Sequence, residues 1–155
     1  MMASEATTLS LEINGRRHEF ELLTALAPDT IELLSSGLVA DGGSRSVTAY
    51  HGITTGMAVT IPIGEPTDVC ENRYVFGCPA GSLLYFPNLN RRVIDGRVSS
   101  AELIVTYGIV RFFDWTGWQP HSLIGSLING SVAELSDLGR EVRANGGTDG
   151  TVAIS

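Results

Sequence analysis

The stretch of this chain that decides the fold runs from Glu71 to Pro87 and reads Glu-Asn-Arg-Tyr-Val-Phe-Gly-Cys-Pro-Ala-Gly-Ser-Leu-Leu-Tyr-Phe-Pro. Glycine and proline interrupt its first half, which is typical of a loop, whereas residues 82–86 form a short strand-like run that Pro87 ends. This run is apolar on both faces, which indicates a strand that is packed on both sides. We therefore expect a central β-strand at residues 82–86.

On the N-terminal side, residues 9–22 predict a β-hairpin. Apolar and polar residues alternate up to Asn14-Gly15, a pair that suits a two-residue type I′ turn because both positions take positive φ. This turn places Leu11 opposite His18, so that His18 falls on the apolar face of the hairpin. We expect a rim histidine that a neighbouring acid or carbonyl satisfies; the alternative is a ligand or proton carrier at a barrel mouth.

The rest of the chain supplies two helices and further strands. Pro28 begins a short helix that Gly37 should end, because proline is tolerated in the first turn of a helix. Ser131 and Glu134 form a capping box that begins the second helix. Further strands are predicted at residues 45–50, 57–63, 102–107, 109–113 and 122–128, with a last edge strand at 151–154.

Together these elements predict a mainly β, antiparallel domain. A closed β-barrel with the two helices covering its ends accounts for strands that are apolar on both faces, because closure leaves no exposed edge. A two-sheet sandwich is the alternative. We expect a single domain over residues 1–155, in which residues 1–7 are flexible.

The charge balance limits the partners of the chain. Seventeen acidic residues stand against ten basic ones, all of them arginine, and the formal net charge is −7. This excess of negative charge argues against nucleic acid or an anionic membrane as a partner. No stretch approaches the ~20 apolar residues that a membrane-spanning helix needs. We expect a cytoplasmic protein in which Cys70 and Cys78 are thiols, and a disulfide between them is the alternative.

Four motifs along the chain can be compared with those of known families: Pro28 to Leu34, His51-Gly52, Glu71-Asn72 followed by Pro79 to Tyr85, and Glu102-Leu103 leading to Tyr107-Gly108. Taken together, these motifs resemble a bacterial family of cyclophilin-like proteins of unknown function. The resemblance spans most of the chain and implies a cyclophilin-like β-barrel that is often an oligomer. Because the family has no established reaction, it implies nothing about chemistry.

Prolyl isomerase activity is an alternative that this resemblance raises. True cyclophilins carry a Phe-His-Arg-Val-Ile run and, downstream, Phe-x-x-Gln-Gly-Gly-Asp. Here Asn90-Arg91-Arg92-Val93-Ile94 keeps the Arg-Val-Ile but lacks the Phe and the His, and no Gln-Gly-Gly-Asp follows. We expect no isomerase activity. We also expect Arg91, Arg92 and Arg97 to lie in a solvated loop rather than in an anion site.

The candidate site is a small-molecule pocket that loops form at one end of the barrel. Aromatic walls with a few convergent polar groups suit a small ligand. The predicted lining residues are His51, Glu71, Asn72, Tyr74, Trp115, Trp118 and His121. The alternative for Glu71 and Asn72 is structural, because a carboxylate and an amide can hold a loop by bonding backbone amides. The alternative for the tryptophans is a lid over the core or an oligomer contact.

No cofactor or metal is expected. Nucleotide-binding and nucleophile motifs are missing from the sequence, and His18, His51 and His121 lack the close spacing of metal ligands. A metal site that joins the three histidines to Glu71 is the less favoured alternative.

Three functions remain open at this point. The favoured one is a barrel that binds, or acts on, a small metabolite. The others are a peptidyl-prolyl isomerase and a structural module that associates with itself. A homodimer or larger assembly is predicted, because two short helices cannot cover the outer faces of the strands at 83–86, 103–107 and 109–113.

Overall fold

A computed structural model describes residues 7–52, 56–72, 78–114 and 117–155, with only the backbone described at 113, 114, 117 and 118. The strands are β1 Thr8–Ile13, β2 Arg16–Leu22, β3 Ser44–His51, β4 Gly56–Gly64, β5 Ser82–Phe86, β6 Val93–Ile94, β7 Arg97–Val98, β8 Ala101–Val110, β9 Phe113–Asp114, β10 Gly117–Trp118, β11 Ser122–Asn129 and β12 Gly147–Ile154. The helices are α1 Pro28–Ala40 and α2 Val132–Asn145. No helix in these described ranges is long and apolar enough to cross a membrane.

The first hairpin forms as the sequence predicts. Asn14 and Gly15 have φ of 53° and 72°, the positive values of a type I′ turn, and Leu11 lies opposite His18. From this hairpin the sheet closes into an antiparallel barrel of eight strands in the order β1-β12-β3-β4-β8-β5-β11-β2. The closed barrel predicted from the sequence is confirmed, and the sandwich is wrong.

β5 lies between β8 and β11 in this barrel, and its residues are buried along its whole length. Its inner face contributes Leu83 and Tyr85 to the main core, while Leu84 and Phe86 on the outer face belong to a second apolar cluster. A strand that is packed on both sides therefore needs apolar residues at consecutive positions. The prediction for residues 82–86 is confirmed.

The two helices close opposite ends of the barrel. α1 connects β2 to β3 at one end, and α2 connects β11 to β12 at the other. The Ser131 cap of α2 forms, since Glu134 N donates to Ser131 Oγ over 3.1 Å, which is one of the two hydrogen bonds of the predicted capping box. α1 continues past Gly37 to Ala40, so the predicted end was wrong: a glycine costs a helix only about 1 kcal/mol, and burial of Leu38 offsets that cost.

Two strand assignments need correction. β8 is one strand through Gly108, because this glycine is a close-packing point rather than a break: a Cβ there would lie 2.6 Å from Met57 Sδ. Residues 111–112 therefore lie outside any strand. β12 is not an edge strand, since it pairs with both β1 and β3 and closes the barrel.

The first and last described residues of the chain meet at this closure. Thr7 N donates to Ser155 O over 2.8 Å, and Thr7 O accepts from Leu22 N over 2.9 Å. Thr7 is thus held between β2 and the end of β12, and residues 1–6 lie outside the described part of the chain, so the predicted flexibility of residues 1–7 stays a prediction.

The outer faces of β4, β5 and β8 are covered in part by the chain itself. Leu84 and Ile104 are buried with Val110 and Phe112 in the second apolar cluster. Gln119 N donates to Phe112 O over 2.6 Å, which joins the two ends of the connection between β8 and β11. The outer surface on which the oligomer prediction rested is therefore smaller than the sequence indicates.

Candidate functional site

A large open cleft lies against the outer face of β4, β8 and β5. Pro62 and Phe86 are each paired directly with Glu102, so these three side chains share one face of the sheet and line the cleft together. The cleft has a volume of about 1800 Å³ and extends over the rim of the barrel to α2. We distinguish an aromatic end, around Phe86, Phe112 and His121, from a dyad end, around His51 and Tyr107.

At the aromatic end, the imidazole of His121 is stacked between two phenylalanines. Its ring centroid lies 4.9 Å from that of Phe86 and 4.1 Å from that of Phe112. Its Nδ1 donates to Gln119 O over 2.6 Å, which leaves Nε2 as the acceptor nitrogen. Burial lowers the pKa of His121 to about 4, so the ring is neutral at pH 7 and acts as a third aromatic wall.

Arg92 and Glu102 bring charge to this aromatic end. The Arg92 guanidinium carbon lies 5.4 Å from the centroid of the Phe86 ring, within the range of a cation–π contact. Burial raises the pKa of the Glu102 carboxyl, and the nearby Arg92 opposes this effect only in part. Glu102 therefore keeps its proton to a higher pH than an exposed glutamate does.

At the dyad end, His51 and Tyr107 are hydrogen-bonded to each other. Tyr107 O–H meets His51 Nε2, and the two rings pack edge to face with centroids 5.9 Å apart. His51 Nδ1 lies 3.0 Å from Gly52 O, which can only accept, so Nδ1 carries the proton of the neutral ring. Nε2 then accepts from the Tyr107 hydroxyl.

The charge of the cleft is opposite in sign to that of the whole chain. Among the described residues that line it, four are arginine and two are acidic, although the sequence has ten basic and seventeen acidic residues. Such concentration of one sign in a concave site raises the local concentration of a ligand of the other sign. These residues are Arg92, Arg111, Arg140, Arg143, Asp95 and Glu102.

Glu71 and Asn72 have a structural role at the other end of the barrel. The Glu71 carboxylate accepts from Asp29 N over 3.1 Å and from Thr30 N over 2.9 Å, at the start of α1. Asn72 Oδ1 accepts from Leu123 N over 2.9 Å, and its Nδ2 donates to Leu26 O and Leu123 O over 3.2 Å each. These residues join the loop to α1 and β11.

The predicted pocket is therefore divided. His51 and His121 line one cleft, but Glu71 and Asn72 are not among its lining residues. Glu71 is separated from His51 for a topological reason: β3 ends at the α2 end of the barrel, whereas Glu71 bonds the first turn of α1 at the opposite end. Tyr74 and Trp115 lie outside the described residues, and at Trp118 only the backbone is described.

His18 does not behave as the sequence predicts. Its side chain is completely buried, and neither ring nitrogen has a hydrogen-bond partner among the described residues. The nearest acid, Glu134, approaches Nε2 only to 4.0 Å. Burial lowers the pKa of His18, and Glu134 opposes that effect. His18 is not a rim histidine satisfied by an acid.

Several cleft residues escaped the sequence analysis. Arg92 was assigned to a solvated loop, and this holds for its neighbour Arg91, which pairs with Asp68 over 2.9 Å, but not for Arg92 itself. The one available signal was Glu102, an acid that begins an otherwise apolar strand and must face outward.

Within the described residues, no group of three His, Cys, Asp or Glu side chains could hold a metal ion. No disulfide joins the two described cysteines, Cys70 and Cys78.

Comparison with known proteins gives structural but no sequence relatives. No family model and no curated protein matches the chain. McbB, solved in complex with tryptophan, superposes with a TM-score of 0.65 at 19% identity, covering 94% of this chain and 44% of McbB. The chain thus spans less than half the length of McbB.

Two other solved structures match over nearly their whole length. The hypothetical protein AF2241 from Archaeoglobus fulgidus has a TM-score of 0.60 at 16% identity, covering 99% of this chain and 98% of the other. A cyclophilin-type peptidyl-prolyl cis-trans isomerase from Cryptosporidium parvum, solved with the dipeptide Ala-Pro, has a TM-score of 0.61 at 14% identity, covering 96% and 98%. The chain therefore has the cyclophilin-like β-barrel fold.

Proposed function

We propose that this chain is a small-molecule-binding barrel whose ligand presents a flat apolar ring to the aromatic end of the cleft. The observation that carries the proposal is the stack of Phe86, His121 and Phe112, with ring centroids 4.9 Å and 4.1 Å apart along one side of the cleft. Aromatic walls beside a small number of polar groups are the usual composition of a small-ligand site.

The polar groups beside this stack suit a ligand with hydrogen-bonding capacity. Arg92 is a donor with a fixed charge, and Glu102, whose pKa is raised by burial, can donate or accept according to its protonation state. His121 stays neutral because burial depresses its pKa to about 4. A ring-bearing metabolite with a polar substituent therefore fits the chemistry of the aromatic end.

The similarity to McbB supports the choice of a first probe. McbB was solved with tryptophan, a molecule that combines an aromatic ring with a carboxylate. Indole carries the ring alone, so it tests the aromatic end without any contribution from charge. With about nine non-hydrogen atoms, indole should bind with a Kd on the order of 1 mM.

Filling the cleft should abolish this binding. We expect indole and L-tryptophan to cause saturable NMR shifts in the ¹⁵N-labelled protein at residues that line the aromatic end. Ser100 is half-buried and lines the cleft, so Ser100→Trp should weaken indole binding at least tenfold. Ser126 is exposed on β11 and does not line the cleft, so Ser126→Trp is the matched control and should bind as the wild type does.

The same NMR titration distinguishes the proposed small-molecule-binding function from the alternative of a peptidyl-prolyl isomerase. Arg92 above the Phe86 ring offers a guanidinium and an apolar floor, which could take a prolyl peptide. An Ala-Pro peptide that binds in competition with indole, with accelerated cis-trans exchange, would favour a peptidyl-prolyl isomerase instead. Failure of every ring-bearing probe to shift cleft resonances would refute the proposed function.

Self-association stays a prediction, and the small hairpin of β6 and β7 offers the surface for it. Val93, Ile94 and Val98 are 54%, 47% and 55% exposed, which is unusual for three clustered β-branched residues. We propose a homodimer or larger assembly through this hairpin. Light scattering at micromolar concentration should give at least twice the monomer mass, and Val98→Lys should shift the protein toward monomer. A wild-type monomer mass would contradict the prediction.

A further inference from the structure

The dyad end of the cleft is built by one face of α2. Ser136, Arg140 and Arg143 recur at intervals of four and three residues, so their side chains project from the same face, and all three line the cleft. Gly139 lies between them, and a Cβ there would be 2.4 Å from Tyr107 Cε1 and 2.8 Å from Tyr107 Oη. The Tyr107 ring thus packs directly on the helix backbone, which fixes its hydroxyl beside the two arginines.

The arginines differ in how far they are neutralised. Arg140 is paired with Asp137, the acid three residues before it in α2. Arg143 is exposed and forms no ion pair with any residue that the structure describes. Arg143 follows Gly139 by four residues, so it lies one turn further along the helix face on which the Tyr107 ring packs. Burial raises the pKa of the Tyr107 hydroxyl, whereas Arg143 and Arg140 act to lower it. Glu102, an acid that lines the cleft, lies with Phe86 at the aromatic end.

We propose that the dyad end of the cleft binds an oxyanion group, a carboxylate or a tetrahedral dianion, between Arg143 and the Tyr107 hydroxyl. Arginine offers a planar set of donors that matches such groups, and a tyrosine hydroxyl adds one directed donor. This inference deepens the proposed function, on which it rests for the identity of the cleft as a ligand site. It adds that the ligand is anionic, with its ring and its charge at opposite ends of the cleft.

The hydrogen-bond directions couple this binding to a proton. Without a ligand, the Tyr107 hydroxyl donates its only proton to His51 Nε2, so it cannot also donate to an anion. If His51 takes up a proton from water at Nε2, the imidazolium donates to the Tyr107 oxygen. The Tyr107 hydroxyl keeps its own proton and is then able to donate it to the anion. His51 bonds the Gly52 carbonyl and Tyr107 on β8, and the charged groups of α2 that line the same cleft are Arg140, which is paired with Asp137, and Arg143. Anion binding should therefore draw one proton onto His51.

The test uses sulfate and acetate at constant ionic strength, because neither probe changes its protonation near neutral pH. We expect saturable NMR shifts of the Arg143 side-chain N–H and of the backbone amides of Gly146 and Gly147, which also line the cleft. Tighter binding of sulfate would identify a tetrahedral dianion as the ligand group, and tighter binding of acetate a carboxylate. In either case, the ring-proton resonances of His51 should move toward the imidazolium position as the site fills.

Variants at the site give the controls. Arg143→Gln should weaken binding of the preferred anion at least fivefold, and Arg143→Lys should restore part of it. Tyr107→Phe keeps the ring that packs on Gly139 and should abolish the His51 response. Arg97 is exposed on β7 and does not line the cleft, so Arg97→Gln should bind as the wild type does.

Three outcomes would overturn the inference: no saturable binding of either anion, equal weakening by Arg97→Gln, or binding with no response of His51. The proposed function fails independently. Indole binding without anion binding refutes only the oxyanion site, and anion binding without indole binding refutes only the aromatic ligand.

Discussion

Replacing Gly139 by alanine is expected to destabilise the protein by about 2 kcal/mol, although the same change in a typical helix is stabilising. The added Cβ would lie 2.4 Å from Tyr107 Cε1 and 2.5 Å from Cζ, distances that real Cβ atoms do not reach. Either α2 or the tyrosine ring must move. Since Tyr107 is bonded to His51, the variant should also lose the His51 response to anions.

Gly37 in α1 is the matched control for this change. It also lies inside a helix, but a Cβ there would meet its nearest neighbour, Arg45 Nη2, at 3.5 Å, an ordinary contact. Gly37→Ala should therefore stabilise the protein by about 0.5–1 kcal/mol through the lower entropy of the unfolded chain. Urea unfolding of the three proteins at pH 7 measures both effects. If both variants are stabilised, Tyr107 does not pack on α2 as described.

Gly37 and Gly108 show which structural features a sequence pattern cannot predict. Gly37 looked like the end of a helix, and Gly108 like a break between two strands, because glycine is a common signal for both. Each is instead within a regular element. At Gly108 the deciding fact is the Met57 side chain on the neighbouring strand, a contact that depends on the register of β4 against β8. Sequence patterns report local conformation, not such distant contacts.

Sequence signals that depend only on neighbouring residues were reliable, because such patterns report local conformation. The Asn14-Gly15 turn and the Ser131 cap each depend on a few adjacent residues, and both formed as predicted. The cleft depends instead on register. Phe86 and Pro62 are brought together by Glu102 on the strand between them, and the three are far apart in sequence. Without the strand pairings, the sequence does not show that these three residues lie side by side on one face of the sheet.

Glu71 illustrates a signal that was present and could have been used. The residue before α1 is Ala27, whose side chain makes no capping hydrogen bond, although it precedes a helix of thirteen residues. The first amides of a helix need acceptors, so a missing local cap implies a distant one. The structural role considered for Glu71 from sequence was right in kind, but its partners are the amides of α1.

Glu71→Gln is therefore expected to cost about 2 kcal/mol of unfolding free energy at pH 7, within a range of about 1–3 kcal/mol. Glutamine has nearly the same shape, but only its carbonyl oxygen can accept, so one of the amides of Asp29 and Thr30 would face an NH₂ group. The change also removes a negative charge from the positive end of the α1 dipole. Glu32 is exposed on the same helix, and Glu32→Gln should change stability by no more than about 0.5 kcal/mol.

The pH dependence of this effect has a definite sign. Burial alone would raise the pKa of Glu71, but the Thr30 and Asp29 amides outweigh it and hold the pKa below the ordinary value of 4.5. A depressed pKa in the folded state gives stability that is complete above the unfolded value and is lost as the pH falls through the folded value. Wild type and Glu71→Gln should thus differ fully at pH 7 and converge below the folded pKa. A difference that stays constant down to pH 3 would show that the Glu71 charge does not cap α1.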